Sequence, residues 1–404
     1  MASPAVSEPE FMAARRARAA ELRDTLAAPT FKGRPGWEFT DISALDLGKF
    51  DPAPANGVVA REPLFALPAN ASPTLPDGVI VTTIERAASE HAELIERHLG
   101  SVVPVDDLFV ARNGAGFQDG SFVYVPRGVI VAEPISLVTV QSKSGTELDR
   151  RTLIVLDEGA QAEVWEQYLS ASQDVEGVFN AVTELVLGDG AHLRYVCGQD
   201  LSERTWIFGA QRAELGRDAA LDWVALGFGS ARGRVRMETR LGGDGSSARV
   251  TGAYACHGRQ HIDFDTTQEH AAPSTTSDLA FRGVLTDRST AVWKGNIIVD
   301  PGAQKTDAFQ ESRNLLLSKR AHADAIPGLE IQANDVRCTH AAAIAQVDPE
   351  QIFYLRSRGL PEATARRLVI DGFLAALVER FEQGAVRDVL AVALERRLRA
   401  ILEN

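Results

Sequence analysis

From about Gly120 to Arg337 the chain is written as short apolar runs separated by Gly/Asp turns, with no long amphipathic helix among them. The turns recur. VLDEGAQAEV begins at Val155, VLGDGAHLRY at Val186, ELGRDAALDW at Glu214, RLGGDGSSAR at Arg240 and VDPGAQKTD at Val299. The leucines of the first four units, Leu156, Leu187, Leu215 and Leu241, are spaced by 31, 28 and 26 residues, and Val299 lies 58 beyond Leu241, about two more periods. Each unit holds an apolar residue, a short turn and a new alternating run. A stacked strand solenoid needs this pattern, because one coil cannot bury its inner face alone and its neighbours complete the burial. Gly and Asp at the corners supply positions with φ > 0. Period alone leaves a β-helix and a large sandwich both open.

The flanks read differently. Residues 9–27 carry a helical pattern, with Phe11, Ala14, Leu22 and Leu26 roughly on one face. Arg15, Arg16 and Arg18 fall mostly off that face and are expected to be solvated. Residues 28–77 are rich in Pro, Gly and Ala and read as a loop-heavy connection, with Trp37 and Phe39 as a small apolar anchor. A short strand is expected over 78–84 and a helix over Ile84–Leu99, which would place His91 and His98 on one face. At the other end, Asp348 is placed to cap a helix over Glu350–Arg358 that Gly359 terminates. Pro361 opens a second helix whose apolar positions include Ile370, Phe373, Leu374, Leu377, Val378 and Phe381. After a break at Gly384, Val386, Leu390, Leu394, Leu398 and Ile401 build a third.

Composition narrows the function classes. At 404 residues the chain is long enough for two or three domains, and its apolar and charged fractions are those of a soluble globular protein. A net charge of -13 argues against a nucleic-acid partner. No run of 18 apolar residues occurs, so no membrane-spanning helix is expected. Three widely spaced cysteines cannot form a disulfide framework and fit a reducing compartment, hence a cytoplasmic protein.

Self-contained catalytic motifs are missing from the sequence. There is no G-x-x-x-x-G-K-[ST], so this chain is not expected to bind nucleotide itself. The Gly-rich run GFGSARGR (Gly227–Arg234) reads as a solenoid turn. No G-x-S-x-G elbow or H-E-x-x-H pair occurs. Asp263, Asp265 and Glu269 are candidates for acid/base work or Ca²⁺ binding on a carbohydrate-active β-helix, Asp263 and Asp265 sharing a strand face. Cys256, His257, His261 and His270 crowd into 15 residues without finger-type spacing. Cys256 is expected to be a buried thiol and the histidines polar surface residues, and Cys197 a buried small hydrophobe.

One constellation remains. In DVRCTHAAAIAQVDPEQIFYLRSRG (Asp335–Gly359), Cys338 and His340 stand two apart, so in a strand they present a soft and a borderline metal ligand on one face. This segment, with PGLEIQANDVRC before it, resembles the C-terminal signature of the SufB/SufD family of iron–sulfur assembly scaffolds, which reads P-x-L-E-I-x-A-D-D-V-x-C-S-H-G-A-T, then L/I-F-Y-L-R-S-R-G. GWEFTDIS (Gly36–Ser43) and the H-x-A-P-x-T segment at His270–Thr275 resemble other parts of that family. Ala341, Ala343 and Ala345 depart from the Gly, Thr/Ser and Gly usual there, which puts the fine geometry of the site in question. SufB-type members carry cysteine where Leu355 stands, so the resemblance is to the SufD branch, with a SufB-type paralogue as the lesser alternative.

The resemblance implies a mainly β chain: a central right-handed parallel β-helix at 120–345 between an N-terminal helical and irregular region, 1–119, and a C-terminal helical domain, 346–404. It implies a non-catalytic scaffold that pairs with a SufB-like subunit and docks a SufC-like ABC-type ATPase through its C-terminal helices. It also implies that His340 serves as a metal ligand, with Cys338 as a second candidate, at a nascent iron–sulfur cluster shared with SufB. An open β edge predicts strand-to-strand pairing, and the chain by itself is expected to form a substitute homodimer.

Overall fold

The computed structural model describes residues 8–32, 36–55, 63–65, 75–381 and 384–402, so part of the 28–77 connection lies outside the described residues. Seven α-helices occur among them: α1 Glu10–Thr25, α2 Ile84–Glu90, α3 Ala92–His98, α4 Leu108–Gly116, α5 Pro349–Ser357, α6 Glu362–Val378 and α7 Ala385–Leu402. The strands are β1 Asp51–Pro52, β2 Ile80–Thr83, β3 Asp119–Val125, β4 Ile135–Gln141, β5 Thr146–Leu156, β6 Gln161–Ser170, β7 Gly177–Leu187, β8 His192–Asp200, β9 Thr205–Leu215, β10 Ala220–Gly227, β11 Arg232–Leu241, β12 Ser247–Cys256, β13 His261–His270, β14 Thr276–Leu285, β15 Thr290–Val299, β16 Asp307–Leu316, β17 His322–Ile331 and β18 Arg337–Gln346. No described helix is long and apolar enough to cross a membrane.

The strands build a parallel β-solenoid of eight coils. Each coil gives one strand to a sheet ordered β17-β15-β13-β11-β9-β7-β5-β3 and one to a sheet ordered β18-β16-β14-β12-β10-β8-β6-β4. The repeated leucines stack in register, Leu156 on Leu187, Leu215 and Leu241, and the file continues through His270 to Val299 and Ile331. The apparent double period before Val299 is therefore one coil whose file position holds a histidine. The corner turns stack as well: Gly159 N donates to Asp189 O at 2.8 Å, Gly190 N to Arg217 O at 2.7 Å, and Asp218 N to Asp244 O at 2.9 Å. Gly159 (φ 68°), Gly190 (φ 65°) and Asp218 (φ 54°) adopt the left-handed conformation that the Gly/Asp pattern anticipates. Between the sheets lies a continuous apolar core that includes Leu156, Leu187, Tyr195, Trp223, Phe281 and Trp293. Burying each such side chain contributes about 1.5–3 kcal/mol.

The N-terminal helices close the first coils. Ile84, Ala87 and Ile95 pack on Phe122, Leu153 and Val155. The expected helix over Ile84–Leu99 is broken at His91 (φ -138°, ψ 44°), so His91 and His98 do not share a helix face. In α1 the buried residues are Met12 and Ala19, and Ala14 is exposed. Two of the arginines expected in solvent are clamps. Arg15 Nη2 donates to Glu96 O at 2.6 Å and Arg16 Nη1 to Phe117 O at 2.8 Å, at the carbonyl ends of α3 and α4. The short helix α4, capped by Asp107, has no counterpart in the sequence reading. Trp37 is buried against Phe109, with ring centroids 5.5 Å apart, but Phe39 is exposed, so only half of the expected anchor forms.

The C-terminal helices fold back along the other sheet. Ile370, Leu374, Leu377, Leu390 and Leu394 cover Trp165, Val196, Val224 and Leu226. Arg249 fastens them, donating to Arg380 O at 3.1 Å with its guanidinium 5.4 Å from the Phe381 ring centroid. Asp348 Oδ1 caps α5 by accepting from Glu350 N at 2.9 Å, and Gly359 (φ 93°) ends it.

Candidate functional site

The last coil has no successor. β18 terminates one sheet and β17 the other, so their inward faces meet no further coil. Side chains paired across parallel strands point the same way. Cys338 follows Ala308, His340 follows Gln310, Ala342 follows Ser312 and Ile344 follows Asn314, and all four predecessors are buried inside the solenoid. Cys338 and His340 therefore continue interior files onto an open end. The His340 file runs Tyr195, Trp223, Val250, Leu279, Gln310, His340, changing from apolar to polar only in the last two coils. Apolar surface stays uncovered beside it, with Ile331 43% and Ile344 45% exposed. A solenoid end of this kind needs a cap or a partner.

The two candidates differ in environment. His340 is exposed, and its ring makes no hydrogen bond or ion pair among the described residues, so both nitrogens remain available. Cys338 is half-buried and packs toward Val299, Ala308 and Leu329. Burial, and secondarily the Asp307 carboxylate, push its thiol above the ordinary range, which keeps it protonated. No cluster of three or more metal-ligating side chains occurs among the described residues. His340 and Cys338 alone are fewer donors than an iron–sulfur cluster takes from protein.

Ala341, Ala343 and Ala345 pair with Glu311, Arg313 and Leu315 on the opposite, outward face of β18. These departures therefore lie on the face of β18 opposite Cys338 and His340. Leu355 is on α5, next to exposed Phe353 and Tyr354.

The other candidates are engaged elsewhere. Asp263 is buried and accepts from Thr40 Oγ1 at 2.5 Å, and Asp265 is ion-paired with Arg234. Glu269 lies between Arg240 at 3.0 Å and Arg212 at 3.2 Å. Burial raises the Asp263 carboxyl to about 6, against the opposing charge of Arg234. Cys256 and Cys197 are buried as expected, and burial pushes each thiol up to about 12. The histidines expected on the surface are not all there. His270 is fully enclosed, with Nδ1 2.7 Å from Thr275 Oγ1 and Nε2 2.8 Å from Ser277 Oγ. His261 is buried between Thr40 Oγ1 at 3.1 Å and Thr290 Oγ1 at 2.7 Å. Burial lowers both imidazoles to about 4, so both are neutral. Thr275 and Ser277, across the next corner, satisfy the His270 ring, while Thr290 on the next coil and Thr40 from the N-terminal segment satisfy that of His261.

The family model of the SUF system FeS cluster assembly SufBD core domain matches residues 138–373, and that of the SufBD protein N-terminal region matches 61–137. The chain is 35% identical over 326 residues to the iron–sulfur cluster assembly protein SufD of Bacillus subtilis, covering 80% of this chain and 74% of that one. It is 30% identical over 332 residues to an iron–sulfur cluster assembly SufBD family protein of Mycobacterium tuberculosis, covering 80% and 82%. A chloroplastic protein of Arabidopsis thaliana, ABCI7, is 30% identical over 328 residues, covering 78% and 68%. The chain belongs to the SufB/SufD family of the SUF iron–sulfur cluster assembly system.

Proposed function

We propose that this chain is a SufD-type, non-catalytic scaffold subunit that pairs with a SufB-like protein through the open solenoid end and contributes His340 to a nascent cluster built there. The observation that carries the reading is the position of His340. It continues an interior file, is exposed at an uncapped end beside bare apolar surface, and has no partner of its own among the described residues. A neutral imidazole binds iron, and thiolates supplied by the partner would complete the ligand set. Cys338, half-buried and protonated, is the secondary donor, and it loses its proton only if metal arrives. The cluster is cargo, assembled and passed on.

In this proposal the division into 1–119, 120–345 and 346–404 separates a closing region, the β-helix and a docking domain. The docking domain receives a SufC-like ATPase on α5 and α6, where Phe353 is 73%, Tyr354 56% and Leu368 49% exposed. The nucleotide belongs to that partner, and the assembly works in the cytoplasm. In isolation the same open end favours a second copy of the chain. The test is His340→Ala in the co-expressed complex, read as iron and sulfide per complex. The reading predicts unchanged assembly with about a tenfold or greater loss of cluster. Normal cluster content in the intact variant complex would refute the role of His340.

A further inference from the structure

Charged columns on the outside of the solenoid alternate in sign from coil to coil. On the second sheet Glu163, Arg194, Asp222 and Arg249 share one outward position, and each is bridged to the next, at 3.1, 2.9 and 2.7 Å. On the first sheet Glu214, Arg240 and Glu269 do the same, at 2.6 and 3.0 Å. The corner that leads from the second sheet back to the first departs from this pattern. Its last three turns, residues 257–260, 286–289 and 317–321, join β12 to β13, β14 to β15 and β16 to β17. Arg259 and Arg288 hold the same place in two turns of equal length. The longer third turn sets Lys319 and Arg320 next in the column.

Hydrogen bonds stack these turns on one another. Gly258 N donates to Asp287 Oδ2 at 2.9 Å, Arg288 N to Gly258 O at 3.0 Å and Ser318 Oγ to Asp287 O at 2.6 Å. The four cationic side chains take no part in this. All are exposed, and none makes a side-chain hydrogen bond or ion pair among the described residues. At a strand spacing of about 4.8 Å they repel one another, and Asp287 is the sole carboxylate in the three turns. The fold therefore holds a column of like charge that does no structural work, on a chain of net charge -13. Three turns at that spacing make a ridge about 10 Å long, the span of about three residues of extended chain. Guanidinium groups in such a row bind carboxylates in forked pairs. A nucleic acid or an anionic lipid surface extends well beyond the ridge and meets the acidic remainder of the chain.

We propose that this corner docks an extended acidic segment of a partner protein, its carboxylates on Arg259, Arg288, Lys319 and Arg320. The turn that carries Lys319 and Arg320 leads into β17, the terminal strand of its sheet, so the docked segment lies at the rim of the open end. The site is independent of the cluster role of His340.

The test is fluorescence anisotropy on the full chain with a labelled peptide of about eight residues that alternates glutamate and serine. The proposal predicts saturation with a Kd below about 100 μM at about 50 mM salt, and about threefold or more weakening at about 200 mM. Arg259→Glu combined with Arg288→Glu is expected to weaken binding about tenfold or more. Lys143→Glu combined with Lys305→Glu changes the net charge equally at two exposed, unpaired lysines elsewhere, and is expected to leave binding unchanged. Absence of binding at about 1 mM peptide overturns the proposal, as does equal weakening by the two double variants. Tighter binding of a labelled single-stranded oligonucleotide or of anionic vesicles overturns it as well. Should the Arg259→Glu, Arg288→Glu protein fail to fold, unchanged affinity in Arg259→Gln with Arg288→Gln overturns it alone.

Discussion

Replacing His270 by leucine tests how the solenoid tolerates a polar residue in its leucine file. In the native chain His270 sits between Leu241 and Val299 and is fully buried, its ring held at 2.7 and 2.8 Å by Thr275 and Ser277. Burial lowers its imidazole from 6.5 to about 4. The folded state thus holds the neutral ring while the unfolded chain takes up a proton below its ordinary value. Stability from this group is present above about pH 6.5 and is lost as pH falls toward 4. One pKa unit is about 1.4 kcal/mol, so lowering the pH from 7 to 5 costs the native protein about 2 kcal/mol through this residue. His261 acts in the same direction and Asp263, raised to about 6, in the opposite one, but both are common to the two proteins and cancel in the comparison. At pH 7 the variant leaves the Ser277 hydroxyl unmatched, a cost of about 1–3 kcal/mol that added apolar burial partly offsets. Thr275 keeps Ala272 O as acceptor at 3.1 Å. Urea unfolding followed by tryptophan fluorescence at pH 7, 6 and 5 should show His270→Leu as the less stable protein at neutral pH. The gap should close or reverse by about 2 kcal/mol at pH 5. Parallel loss of stability in both proteins would refute the reasoning, because it would mean that the native ring takes up its proton as readily as the unfolded one.

Gly233→Ala should destabilise the fold by about 3 kcal/mol or prevent its recovery, since a Cβ there falls 1.8 Å from the backbone oxygen of Ile207 in the neighbouring coil. An unchanged urea midpoint would contradict the close packing of β9 and β11. Thr40→Val keeps shape but removes the donor to Asp263 and the contact to His261, both buried. It should lower stability by about 1–3 kcal/mol and speed amide exchange over Trp37–Ser43. Unaltered exchange there would show that the hydroxyl does not hold this segment on the solenoid.

The solenoid was legible because its turns demand Gly or Asp at fixed intervals and its inner file demands leucine. It became illegible where one coil met that demand with His270, whose polarity is cancelled by two hydroxyls across the next corner. Buried ion pairs escaped for the same reason. Arg150 lies 3.4 Å from Glu166, and Arg151 lies 2.8 Å from Glu184, between strands that sequence separation does not connect. Arg15 and Arg16 looked like a solvated helix face because their acceptors are carbonyls at the ends of other helices. The short α4 gives too few turns for a periodic signal. At the candidate site, alternation alone placed Cys338 and His340 together. The same rule puts Ala341, Ala343 and Ala345 on the other face, where they pair with Glu311, Arg313 and Leu315 of β16. The uncapped end itself has no local signature, because it is defined by the coil that does not follow.

The proposed function makes the open end an interface for a SufB-like subunit. Its most direct test is the native mass of the complex recovered after co-expression with the host's SufB-like and SufC-like proteins. A stable assembly containing one copy of this chain, one SufB-like subunit and two ATPase subunits is the expected result. Recovery of this chain alone or only as a homodimer, with SufB-like protein present and folded, would contradict it.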